Sequence, residues 1–168
     1  MNIELRRICH RPETIDGQIW IEGMKVCDCA ENATSAIPVG TYPIILVKCK
    51  QYSRKMILLK DEGAGMRDEG KSLNPKLSTL NLRCEACPKL SFVSNNTTLP
   101  VYCPQIKPGN GVYNRTDGSI IVGKYLVPGC LSHPKQAFDA LYDRIRKNIE
   151  RGNPVMLTIV SEGSGIRV

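Results

Sequence analysis

Hydrophobic and polar positions alternate with a period of about two along the first third of the chain. That is the spacing of a strand with one buried face. Ile3, Leu5 and Ile8 begin one such strand. Gly17 predicts a turn before Gln18-Ile19-Trp20-Ile21-Glu22, and Glu22-Gly23 a second turn into Met24-Lys25-Val26-Cys27, giving a hairpin or meander. Pro38 and Gly40 interrupt the pattern. A β-rich run resumes over Thr41 to Val47, and Lys55 to Leu59 forms another apolar stretch.

The pattern then lapses. Gly63, Gly65, Gly70 and Asn74-Pro75 break any regular element, which predicts a long loop or insertion over residues 61–100. Leu90 to Val93 inside that stretch and Val101 to Ile106 just after it read as short strands around the polar turn Ser94-Asn95-Asn96-Thr97-Thr98. Ser119-Ile120-Ile121-Val122 is a compact apolar run between Gly118 and Gly123. Ser132 is the expected N-cap of a helix with Pro134 in its first turn. Ala137, Phe138, Leu141, Ile145 and Ile149 line one face, and Gly152 and Pro154 end it. Val155 to Val160 closes the chain as a strand. The expectation is a single domain over residues 1–168, mostly β (α+β), with one substantial helix in its C-terminal half.

Composition narrows the picture without naming a function. The 168 residues are one domain's worth, and 42% hydrophobic with 23% charged is ordinary for a globular chain. The longest clean apolar run is Ile44-Ile45-Leu46-Val47, so no membrane span is expected. The start has no apolar h-region of a secretory signal, which predicts a cytoplasmic protein as encoded, with export by a phage or secretion apparatus as the other route. The formal net charge is +7. It favours acidic partners, but Arg6-Arg7 and Arg144-Ile145-Arg146-Lys147 are short clusters without interleaved aromatics, so nucleic acid is not the expected one.

Eight cysteines stand at 9, 27, 29, 49, 84, 87, 103 and 130. Without a signal, free or metal-bound thiols are expected rather than disulfides. Cys84-Glu85-Ala86-Cys87 has the spacing of a zinc knuckle, and Cys27-Asp28-Cys29 is a poorer one, because a strand puts both side chains on one face without converging them. A structural zinc on Cys27, Cys29, Cys84 and Cys87 is therefore one reading, a redox Cys-x-x-Cys a second, and small buried apolar residues a third; no other cofactor is implied. His10 and His133 are isolated, and neither sits in a recognisable catalytic arrangement.

Two motifs carry the remaining chemistry. Ala36-Ile37-Pro38-Val39-Gly40-Thr41-Tyr42 is one. The other runs from Ile106-Lys107-Pro108-Gly109-Asn110 to Thr116-Asp117-Gly118-Ser119-Ile120-Ile121-Val122-Gly123. Together they resemble a small bacterial and phage domain-of-unknown-function family with the signatures A-I-P-x-G-T-Y and I-H-x-G-N…G-C-I-x-V-G, itself similar to L,D-transpeptidase catalytic domains. The resemblance covers most of the chain outside roughly residues 61 to 100. It implies a β-sandwich or barrel-like fold and a groove lined by Pro38, Gly40, Tyr42, Gly109, Asn110 and Gly118. The departures are chemical. Lys107 stands where the family has His, and Ser119 where it has Cys. A cysteine transpeptidase needs a thiolate activated by imidazole, and neither group is present at these positions.

Three functions follow as expectations. One is a catalytically degenerate domain that binds a cell-wall peptide or a protein partner. A second is an acyl hydrolase or transferase with Ser119 as nucleophile, Lys107 as base and Asp117 or Asn110 orienting. A third is a cytoplasmic basic interaction module with structural zinc. The loss of both catalytic-type residues together favours the first.

Overall fold

The computed structural model describes residues 1–48, 55–59, 89–94, 97–102, 104–113, 115 and 117–161. The expected loop over 61–83 and the Cys84/Cys87 pair lie outside the described residues. Eleven strands and one helix follow in chain order: β1 (Asn2–His10), β2 (Thr14–Ile21), β3 (Met24–Asn32), β4 (Gly40–Lys48), β5 (Lys55–Leu59), β6 (Lys89–Ser94), β7 (Thr97–Tyr102), β8 (Gln105–Pro108), β9 (Ile120–Val127), β10 (Cys130–Ser132), α1 (Pro134–Glu150) and β11 (Met156–Ser161).

The expected mostly-β fold with one helix is present, and it is a barrel. Strands run β9-β3-β2-β1-β11-β4-β5-β8, and β8 pairs back to β9, so eight strands close on themselves. Closure removes the open edges of a flat sheet. Two joints are parallel, β1 with β11 and β8 with β9, and the other barrel joints are antiparallel. Strands β5 and β8 are antiparallel neighbours. In topological terms, then, all the chain between them is the connection of one hairpin. Strands β6 and β7 pair with each other inside that connection.

Period-two patterning fills the barrel. Ile3 and Leu5 of β1, Ile19 and Ile21 of β2, and Ile120 and Val122 of β9 all join one buried cluster. Phe138, Leu141 and Ile145, spaced at three and four along α1, enter the same cluster, so the helix belongs to the barrel core. The N-cap is His133, in left-handed geometry and without a side-chain cap bond, one residue beyond the expected Ser132. Gly17, expected at a turn, lies inside β2. A Cβ there would stand 2.6 Å from the Arg6 carbonyl oxygen, so glycine is needed for the close approach of β1 and β2 rather than for a reversal.

The same alternation carries two charges inward. Arg7 follows Ile3 and Leu5 in phase along β1, and Glu31 follows Cys27 and Cys29 along β3. The two meet bidentately: Arg7 Nε donates to Glu31 Oε2 at 2.8 Å and Nη2 to Oε1 at 2.8 Å. Arg7 Nη2 also donates to the Ile37 carbonyl, which ties the turn after β3 to the pair. Burial works against the guanidinium charge, but the hydrogen bond and charge of Glu31 outweigh it and hold the Arg7 pKa above its ordinary value.

Removing one partner strands the other charge in the interior. Arg7→Met and Glu31→Leu should each lower stability by about 3–5 kcal/mol, while the double variant should be less destabilised than the sum of the two. Urea denaturation of the four proteins measures this. Additive single-variant effects would mean that the pair is energetically uncoupled.

Candidate ligand-binding site

The second motif lies at the parallel joint between β8 and β9. Ile106 is opposite Ile120, and Lys107 opposite Ile121. Ile106 and Ile120 belong to the main core, whereas Ile121 packs with Ala30, Val112 and Leu131 in a smaller cluster. The pleat therefore places Lys107 with Ile121 on the outer face of the barrel wall. The chain between the two strands returns over that face. Gly109 lets it press down, since a Cβ there would sit 3.1 Å from Ile121 Cγ2. Gly118, at φ 70°, takes the left-handed conformation that leads into β9.

Three predicted residues are brought together. Lys107 Nζ donates to Asp117 Oδ2 at 2.6 Å, and Asp117 Oδ1 accepts from the Ser119 amide at 3.2 Å. Burial opposes ionisation of Asp117. The hydrogen bond and charge of Lys107, with Ser119 adding to them, overcome it and hold the carboxyl below its usual range. Lys107 is 8% exposed and Ser119 1%. The Ser119 hydroxyl is buried without a partner at full hydrogen-bond geometry, Lys107 included, though it lies near enough to the Asp117 carboxylate to help hold its proton affinity down. The carboxamide oxygen of Gln105, one alternation before Lys107 on β8, is also buried without a partner.

Of the expected groove residues, Pro38 precedes β4, Gly40 and Tyr42 begin it, and Gly109, Asn110 and Gly118 lie between β8 and β9. Tyr42 is buried, its hydroxyl donates to the Pro38 carbonyl at 2.8 Å, and its ring lies where a Gly40 side chain would begin. The first motif is thus a turn clasped on itself. In the connection from β8 to β9, the Asn110 carbonyl accepts the Leu131 amide at 2.9 Å. A residue outside both motifs joins them. Asn32 Nδ2 donates to the carbonyls of Val112 and Tyr113 at 3.2 and 3.3 Å, while its Oδ1 accepts from the Thr34 amide and hydroxyl. Ser35 Oγ adds a bond to the Arg115 carbonyl at 3.1 Å. Sequence reasoning missed Asn32, Gln105 and the Arg7–Glu31 pair. Strand parity was the available signal for Arg7 and Glu31.

Cys27 and Cys29 point into the apolar core as the strand pattern requires. Burial pushes the Cys27 thiol up to about 12 and also raises the Cys29 thiol well above its ordinary value. The other two cysteines of the expected zinc set, Cys84 and Cys87, lie outside the described residues. Among the described residues, no three His, Cys, Asp or Glu side chains are grouped as a metal site. His10 Nε2 lies 3.1 Å from Ser161 Oγ on the surface, and the other histidine is the exposed helix cap. No family model matches the chain, and neither a curated protein nor a solved structure matches it significantly.

Asp117→Asn should cost about 1–3 kcal/mol at pH 7, because Lys107 loses its carboxylate while remaining buried. Asp117 is more acidic folded than unfolded. Its contribution is therefore complete above the ordinary aspartate value of about 3.9 and is lost as pH falls through the lower folded value. Urea midpoints of wild type and Asp117→Asn should converge in acid; a gap that stays constant down to pH 2 would refute the assignment.

Proposed function

We propose that this protein is a non-catalytic peptide-binding barrel whose ligand is an acidic peptide of the cell wall or of a protein partner. The observation that carries the reading is the Lys107–Asp117 contact at 2.6 Å beside a buried Ser119 hydroxyl. A serine nucleophile needs its oxygen open to substrate and bonded to a base. Here the cation is paired with a carboxylate, and the hydroxyl is buried and makes no hydrogen bond to Lys107. The resemblance to L,D-transpeptidase-like domains supplies the cell-wall peptide as a ligand class. The net charge of +7 supports an acidic partner.

Incubation with a stem tetrapeptide separates binding from turnover. Calorimetry should register binding by wild type and equally by Ser119→Ala, with no cleaved or transferred product in the mass spectrum. Product formed by wild type and abolished in Ser119→Ala would establish the acyl-transfer enzyme instead. Ser119→Ala should also leave stability unchanged or raise it by about 1 kcal/mol, since it removes a buried hydroxyl that has no partner.

A further inference from the structure

Strand β9 parts from β3 half-way along. The two pair at Asp28–Gly123, Cys29–Val122 and Ala30–Ile121. Past Gly123, β9 turns to β10, with Lys124 opposite Ser132 and Tyr125 opposite Leu131. Gly123 makes the parting sterically feasible: a Cβ there would lie 2.6 Å from the Ser132 carbonyl oxygen and 2.8 Å from Leu131 Cβ. The first half of β3 pairs with β2 along one edge. Among the described residues, no strand pairs with its other edge. The gap between the parted strands is a cleft of about 550 Å³, walled by Val26 and Cys27 on one side and Gly123 and Lys124 on the other, with the start of α1 behind it.

The charges around this cleft are unequal. Lys25 and Asp28 neutralise each other at 2.6 Å, and the second Asp28 oxygen accepts the Tyr125 amide at 2.9 Å. Lys124 is exposed and forms no ion pair among the described residues. The exposed His133 stands nearby, and the first turn of α1 carries no acidic residue. The cleft thus combines an unpaired strand edge, an apolar floor at Val26 and Ala137, and an uncompensated cation at one end.

We propose that an extended peptide of a protein partner adds as a strand to the free edge of β3 at Met24–Cys27, with a carboxylate at Lys124. This rests on the reading of the chain as a peptide-binding barrel and names the partner class and the place. Unpaired main-chain donors and acceptors along a strand edge are matched in register by another strand, which is how β-augmentation obtains affinity from the backbone and specificity from side chains. The lone cation selects for an acidic group on that strand. A second copy of this chain is a poor occupant, because it would bring one net charge of +7 against another.

A fluorescein-labelled hexapeptide of alternating valine and threonine with a free C-terminal carboxylate is the probe, and its C-terminal amide is the control. Polarisation should show the acid binding wild type, and binding about tenfold weaker both for the amide and for Lys124→Glu. Amide NMR shifts should concentrate at residues 24–27 and 124–126. No binding of the acid, equal binding of acid and amide, or shifts clustered at residues 105–119 would each overturn the proposal. Stem-peptide binding that persists while the probe fails would remove the cleft and leave the peptide-binding reading standing. Failure of both ligands would remove both.

Discussion

A closed barrel of eight strands has only as much interior as its side chains fill, so a charge carried inward must find its counter-charge there. Arg7 and Glu31 meet that requirement through two parallel hydrogen bonds at 2.8 Å. They join β1 to β3 across β2, which lies between them. Through the Ile37 carbonyl they also fix the turn that leads into β4. That turn carries Pro38, Gly40 and Tyr42, and Asn32 and Ser35 couple its approach to the 112–115 segment. The place of the first motif's turn thus depends on a buried pair that neither motif contains.

This dependence explains which features were legible in the sequence. The helix was, because Phe138, Leu141 and Ile145 recur at one spacing and face one core. Strands β1, β2 and β3 were legible in outline for the same reason at period two. Gly17 misled, since a glycine demanded by close packing of two strands looks the same in sequence as one demanded by a turn. The barrel-like form was legible only through the family resemblance: the β1–β11 joint pairs strands from opposite ends of the chain, and no local pattern encodes it. The grouping of Lys107, Asp117 and Ser119 was visible as a motif. Their mutual arrangement was not, because it is set by Gly109, Gly118 and the remote Asn32.

The chemistry of the Lys107 site follows from its partners rather than from its residue types. Lysine and serine can make a nucleophile and base when the amine is neutral and the hydroxyl lies against it. A carboxylate at 2.6 Å gives the ammonium an acceptor instead, and Asp117 then also receives the Ser119 amide, which pins the backbone and leaves the hydroxyl over. The same three residues that read as a catalytic triad thereby become a bracket holding the start of β9. Cys27 and Cys29 obey the same logic, since an apolar interior that packs sulfur well also raises the thiol pKa.

The start of β9 is held, and its end is not. Lys107–Asp117, the register with β8 and the register with β3 all act on residues up to Gly123, after which β9 parts from β3 and pairs with β10. A strand can hold one neighbour on each edge, and a strand that leaves a closed sheet exposes the edge of the neighbour it leaves. The exposed edge belongs to β3, whose second half carries Cys29 and Glu31 in the core and is held by the Arg7 pair. Rigid support beneath a free edge reduces the ordering that an incoming strand must bring about, which favours the proposed docking place where the wall divides.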